Sequence, residues 1–437
     1  MSINAIISSY TAESLESQYE EVDVDTLTME AIDGYYHTAE MHFSNASTIN
    51  DNLNNLYKLD SELTLESSSA ESRYWANLAA SVILGDSVDV SDVESMTLLS
   101  DDDKKKKNII VRAFEAIVNA IKKAWEAVVN FFKRLFGISE KKTEEIKKDI
   151  DKTKDAGMRP PNAREKEAID KADMKVSKRD LANAASKSKE LTEKLSGVND
   201  SVKKVEKAKD DLSKDIVRRA KEVLDSTNEK EVSDAVRDFF NGADSYYSQH
   251  DRLMYEYNKL DNEIESVVST FNAVFGVNKA NIKVNKTEQK GFLVNTDDKL
   301  VRYPIDRSNM AEAVKNAMLD KDVDINTYRS VLNDLYEAFD KLAKNRKTMD
   351  EITKKRDEMI GNLRAVLSKN HNLTPTALRQ IMAPFNDNTH IRNFMDVTRG
   401  ILSNNMGVYE ITKTGSSRIV SIEELDALME SDKSLVM

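Results

Sequence analysis

A chain of 437 residues with 40% hydrophobic and 32% charged side chains is long enough for more than one ordinary core and apolar enough to fill it. It has no cysteine, which excludes disulfides, thiolate metal sites and cysteine nucleophiles. With only 12 glycines and 5 prolines there are few compact turns, which favours long helices over a meander of short strands.

The net charge of -12 is unevenly spread. Residues 1–103 carry 2 basic and 21 acidic side chains, a net -19, and the rest of the chain carries 62 basic and 55 acidic, a net +7. Asp101, Asp102 and Asp103 meet Lys104, Lys105, Lys106 and Lys107 at the boundary. Such asymmetry marks parts with different partners. The opening MSINAIISSYTAESLESQYEEVDVD has neither the basic start nor the apolar stretch of a secretory signal, so synthesis in the cytoplasm is expected. No run of about 18 apolar residues spans a bilayer.

Within the acidic segment, Leu53, Leu56, Tyr57, Leu63 and Leu65, then Tyr74, Trp75, Leu78, Val82 and Ile83, have helical spacing and predict short helices. Ser91 to Asp103 reads as linker. Next comes NIIVRAFEAIVNAIKKAWEAVVNFFKRLFG. Its residues Ile110, Phe114, Ile117, Ile121, Trp125, Val128, Phe132 and Leu135 recur at three and four, with Arg112, Glu115, Lys122, Glu126 and Lys133 opposite, and Gly137 is placed to end the helix. Two readings fit this face: a core helix packed on its neighbours, or a membrane-interface helix with aromatics bordered by lysines.

Pro160 and Pro161 predict one helix ending near residue 156 and another starting after Asn162. In the second, Leu191, Leu195, Val198, Val202, Val205, Leu212 and Ile216 form a heptad seam with Lys209 at the missing apolar position. The seam implies pairing with another helix, from this chain or another copy. The mixed charges of SVKKVEKAKDD predict a solvated face. A further helix is expected from Lys230 to Phe275. Alternation predicts strands at Ile282 to Val284, Gly291 to Val294 and Lys299 to Tyr303, with a turn at Asn295 to Asp298. Helices resume near Asn309 and from Ile325 to Lys369, and a short one runs from Pro375 to Pro384. GVYEITKTGSSRIVSI reads as a hairpin over Thr414 to Ser417, followed by a short acidic helix and tail.

The fold class expected is therefore mainly α, with long amphipathic and coiled-coil-like helices, a small antiparallel β insert and a C-terminal hairpin. Its units are an acidic leader at 1–103, an amphipathic helix region at 104–157, a long charged helical hairpin at 158–279, the β insert at 280–306, a helical region at 307–406, and the hairpin and tail at 407–437.

Chemistry-bearing patterns are sparse. His37, His42, His250, His371 and His390 form no HExxH, and the sequence has no GxxxxGK[ST], GxGxxG or GxSxG. No catalytic residue, cofactor or metal is implied. Paired acids in a helix rich in Lys and Glu ordinarily belong to a solvated face.

An acidic leader, a basic junction, and a Trp, Phe and Lys rich amphipathic helix followed by charged helical hairpins resemble the internal head and virion structural proteins of large tailed bacteriophages. The resemblance is architectural and covers the junction and residues 104–230 best. It implies a non-enzymatic protein assembled in the host cytoplasm and packaged in the virion interior among other virion proteins. It also implies a leader removed by a maturation protease that cuts after glutamate, with a small or apolar residue two positions earlier. Ser14-Leu15-Glu16, Ser69-Ala70-Glu71, Ala113-Phe114-Glu115 and Leu428-Met429-Glu430 have that form. The body left after loss of residues 1–103 is expected to stay folded and to make weak nonspecific DNA contact through its net +7. The alternative is a membrane-active or scaffold protein, with Phe114, Ile117, Ile121, Trp125, Val128 and Phe132 facing a lipid surface or partner and the heptads mediating self-association.

Overall fold

A computed structural model describes residues 28–64, 70–84, 109–224, 244–271, 283–284, 286–290, 299–308, 314–367, 382 and 385–434. The protein is mainly α. Helix α1 (Met29–Asp51) begins at Thr28, whose hydroxyl accepts a hydrogen bond from the Ala31 N–H at 3.2 Å. Its buried stripe is Ile32, Tyr36, Ala39, Phe43, Ala46 and Ile49, while Ser44, Asn45 and Ser47 face solvent. Helices α2 (Leu53–Thr64) and α3 (Ala70–Leu84) pair with each other and lean on α4 (Ile109–Lys152), along which α1 runs. The charge boundary at residue 103 is thus not a packing boundary.

Gly137 does not end α4, which continues for another four turns. One helical glycine costs about 1 kcal/mol relative to alanine. Burial of Ile138 and Ile146 beyond it offsets that cost, and the Ser139 hydroxyl donates to the Leu135 carbonyl at 3.1 Å. The chain then forms strand β1 (Ala156–Met158) and α5 (Ala163–Lys171), where Asn162 and Glu165 make a reciprocal capping box. The helix expected from Asn162 onward is broken by β2 (Met174–Val176), and α6 (Lys178–Leu224) starts after it. The break is stabilised from far away, because the Asp322 carboxylate accepts from the Lys178 N–H at 3.0 Å.

All seven seam residues of α6 are buried. They meet α7 (Asp244–Phe271) through Leu253, Tyr257, Leu260, Ile264, Val267 and Phe271, and also α8 (Ile325–Lys344), α9 (Arg346–Leu367) and α10 (Thr389–Lys413). The seam therefore finds its partners within this chain. Lys204 and Lys207 are exposed as a solvated face requires, but because helices surround α6 on several sides Glu206 and Asp210 are buried, along with Lys209 in the seam, which corrects that expectation for the two acids. Residues 230–243 and 272–275 of the expected third helix lie outside the described residues.

Among the described residues the β insert is a two-stranded ribbon. Strands β3 (Lys283–Val284) and β4 (Thr287–Lys290) pair antiparallel with β6 (Ile305–Asp306) and β5 (Lys299–Arg302) in one continuous register, from Lys283 opposite Asp306 to Lys290 opposite Lys299. The ladder is interrupted where Pro304 has no N–H and the Tyr303 N–H donates to Asn393 Oδ1 on α10 at 3.1 Å. The strand expected at 291–294 and the turn at 295–298 are outside the described residues, as is the short helix at 375–381. The helix expected from Ile325 to Lys369 divides at Asn345.

The C-terminal antiparallel pair is present, but not as a local hairpin. Residues 407–413 continue α10, and β8 (Ile419–Ser421) pairs instead with β1, Ala156 opposite Ser421. Val408 and Ile411 are buried against the bundle, and Thr412 donates to the Val408 carbonyl at 2.7 Å, so helical packing wins over an alternation that reads equally well as strand. Gly157 in β1 lets α11 (Ile422–Ser434) approach, since a Cβ there would sit 2.4 Å from Leu425 Cδ2. Strand β7 (Ala317–Leu319) pairs parallel with β2.

Candidate functional site

Two charged networks lie inside the bundle. The first joins five helices. Glu206 on α6 is fully buried, and its carboxylate accepts side-on from Arg356 on α9, from Nε at 3.1 Å and from Nη2 at 2.6 Å. His390 on α10 donates from Nε2 to the same carboxylate. Its Nδ1 lies 3.3 Å from the hydroxyl of Tyr257 on α7, whose own proton goes to Asp387. Lys209, one turn beyond Glu206, donates to the Asp387 main-chain carbonyl, and the Arg356 guanidinium lies over the Trp125 ring of α4, 5.2 Å from its centroid.

Burial alone would raise the Glu206 carboxyl, but Arg356 and His390 beside it hold it well below the usual carboxylate range. Burial, then repulsion from Lys209, pushes His390 down to about 4, so it is neutral near pH 7. Burial together with Arg356 lowers Lys209 to about 7. Against burial, Lys209 and His390 keep Asp387 below its ordinary value. Tyr257 is raised far above its own by burial and by Asp387.

The second network ties α1 to the ribbon and α10. Asp33 accepts from Arg307 Nη2 at 2.7 Å on each oxygen and from Arg399 Nη1 at 3.4 Å. Glu40 accepts from Arg392 Nε at 2.6 Å and from Arg302 Nη2 at 3.3 Å. Between them the Tyr36 hydroxyl donates to the buried Asp396 at 3.1 Å, and the Arg399 guanidinium lies 4.0 Å from the centroid of the Tyr36 ring. Burial and then Asp396 push the Tyr36 hydroxyl up to about 12. Glu40 is lowered because its bonds to Arg392 outweigh burial, whereas burial raises Asp396 despite Arg302 and Arg399.

Chemically, each carboxylate of the two networks is paired with a cation or hydroxyl of the same network, and the buried Nε of Arg399 is left without a hydrogen-bond partner. Two surface clefts, of about 440 Å³ beside Met29, Lys141 and Met406 and about 170 Å³ beside Ile169, Leu319 and Arg418, are lined by other residues. Among the described residues no three metal-ligating side chains are gathered, and no helix is long and apolar enough to cross a membrane.

The residues read from sequence as a membrane or partner face, Phe114, Ile117, Ile121, Trp125, Val128 and Phe132, are all buried against other helices of the chain. Trp125→Ala is accordingly expected to lower stability by about 3 to 5 kcal/mol through lost burial and the cavity left behind. Denaturant unfolding measures this, and unchanged stability would return that face to a surface role. Of the glutamates that fit the cleavage pattern, Glu71 lies in the first turn of α3, Glu115 is exposed within α4, Glu430 is exposed on α11, and Glu16 is outside the described residues. The sequence carries one signal of the charged networks, Lys209 standing at a core position of the heptad.

No known protein family matches the chain, and no curated protein or solved structure matches it either.

Proposed function

We propose that this chain is a non-enzymatic structural protein of a virion interior, assembled in the host cytoplasm and packaged among other virion proteins. The observation that carries the reading is the charge division, -19 over residues 1–103 and +7 over the remainder, joined by a lysine run to an aromatic amphipathic helix. The buried networks support the non-enzymatic part. Their acid and base groups are paired with one another and join helices distant in sequence, which is work for a scaffold of fixed shape.

Processing belongs to the same proposal, and the seat of α1 favours one position for it. A cut after Glu16 removes residues ahead of α1 and leaves Asp33 and Glu40 on their arginines. A cut after Glu115 would need α4 unwound at the seam of the molecule. The burial of the α4 face favours this reading over a membrane-active one.

Mass spectrometry of the chain recovered from purified particles tests the proposal. A particle-associated chain beginning at Ser17 is the expected result. An intact N-terminus on packaged chains would remove processing and keep packaging, whereas a chain found only in the soluble cell fraction would overturn the reading.

A further inference from the structure

We propose that the acidic N-terminal segment is a docking partner in its own right: severed from the body between Leu84 and Ile109, helices α1 to α3 remain bound, held in register by Asp33 and Glu40 on a surface of four arginines. The inference does not depend on the virion reading, since it rests on the interface alone.

That interface has an adhesive part and a selective part. The adhesive part is the stripe of Ile32, Tyr36, Phe43 and Ile49 packed along α4, where the Tyr36 and Phe131 rings lie 6.3 Å apart. Apolar burial is favourable but non-directional. A stripe repeating at three and four could shift along its partner by one helical turn, about 5.4 Å, and still bury most of its area.

The selective part forbids that shift. Asp33 and Glu40 are two turns apart on α1, about 10.5 Å along its axis. Each meets two guanidiniums, Arg307 and Arg399 at one end, Arg302 and Arg392 at the other. A one-turn slip would part the half-buried Asp33 and Glu40 from their guanidiniums and leave Arg307 and Arg392 without a carboxylate in the network. No gain of apolar contact offsets that cost, because the stripe buries similar area in either register. Charge complementarity also identifies the occupant. Residues 29–51 contain no Lys or Arg, and without α1 the four arginines keep one internal carboxylate in the network, Asp396. The surface therefore fits an acidic amphipathic helix, and the chain supplies one.

The experiment uses the full chain with a site-specific protease sequence inserted between Leu84 and Ile109, cleaved to completion and examined by gel filtration and native mass spectrometry. The two fragments are expected to co-elute one to one. The isosteric pair Asp33→Asn with Glu40→Gln should raise their dissociation rate at least about tenfold, because charge-assisted bonds become neutral ones. Asp33→Asn alone serves if the pair does not fold, with a smaller increase in the same direction. Separation of the cleaved wild-type fragments, with the body either folded or aggregated, overturns the proposal. Equal dissociation rates for variant and wild type overturn the register role of the carboxylates. Displacement of the fragment by a short DNA duplex or inorganic polyphosphate would assign the arginines to a polyanion and overturn the choice of occupant.

Discussion

Arg356→Ala is expected to destabilise the protein by about 3 to 5 kcal/mol, the cost of leaving a buried carboxylate without its cation. Glu206 has no route to water, its remaining neighbour His390 is neutral near pH 7, and Lys209 bonds to the Asp387 carbonyl rather than to it. The change also empties the space over the Trp125 ring. If the loss arises from the orphaned charge, removing the charge should recover much of it. Glu206→Gln combined with Arg356→Met is therefore expected to be more stable than Arg356→Ala alone, since a buried ion pair replaced by neutral groups of similar volume is often close to neutral. Urea unfolding of Glu206→Gln, Arg356→Met and the double completes a cycle, with Arg356→Ala measured beside it. A cost below about 1 kcal/mol for Arg356→Ala would mean that water or a rearranged Lys209 reaches Glu206, and the network would not hold the five helices together.

Long-period patterns made the helices legible. The three and four spacing on α4 and the heptad seam on α6 mark faces that are buried in the structure. They also explain the misreadings, because period alone does not reveal what surrounds a helix. Gly137 has the sequence signature of a stop, yet burial of Ile138 and Ile146 carries α4 through it. Residues 407–413 alternate like a strand, yet lie in a helix enclosed by the bundle. Helix α1 is faint in the sequence because Ser44, Asn45 and Ser47 lower its propensity, although they are merely its wet face. Pairings such as β1 with β8 and β2 with β7 involve three-residue strands whose partners stand far along the chain, and nothing local encodes them. The networks were equally hidden, since Glu206, Arg356 and His390 come together only when three helices do. Lys209 was the exception, because a lysine in a core register needs an acceptor wherever the core closes.

A chain beginning at Lys104 is expected to lose its cooperative thermal transition. The charge boundary alone suggests the opposite, a body that stays folded and gains affinity for DNA. Packing decides between them. Ile32, Tyr36, Phe43 and Ile49 each contribute about 1.5 to 3 kcal/mol by burial, together about 6 to 12 kcal/mol, which is comparable with the whole stability of an ordinary domain. Their loss would bare the α4 face beneath them, and Arg302, Arg307, Arg392 and Arg399 would lose both α1 carboxylates. Helical content should persist in the far-ultraviolet signal while near-ultraviolet signal falls and a hydrophobic dye binds, the behaviour of a collapsed chain without fixed packing. The uncovered arginines should retain DNA at low salt and release it as salt rises, because phosphate contacts of this kind release counterions and read no bases. A transition as sharp as that of the full chain, within a few degrees of its midpoint, would sink this expectation and restore the leader to the status of a removable appendage. Adding the separate segment 28–84 discriminates further: if α1 acts through its interface rather than through chain connectivity, the peptide should restore the transition, and the Asp33→Asn with Glu40→Gln version should do so only at higher concentration.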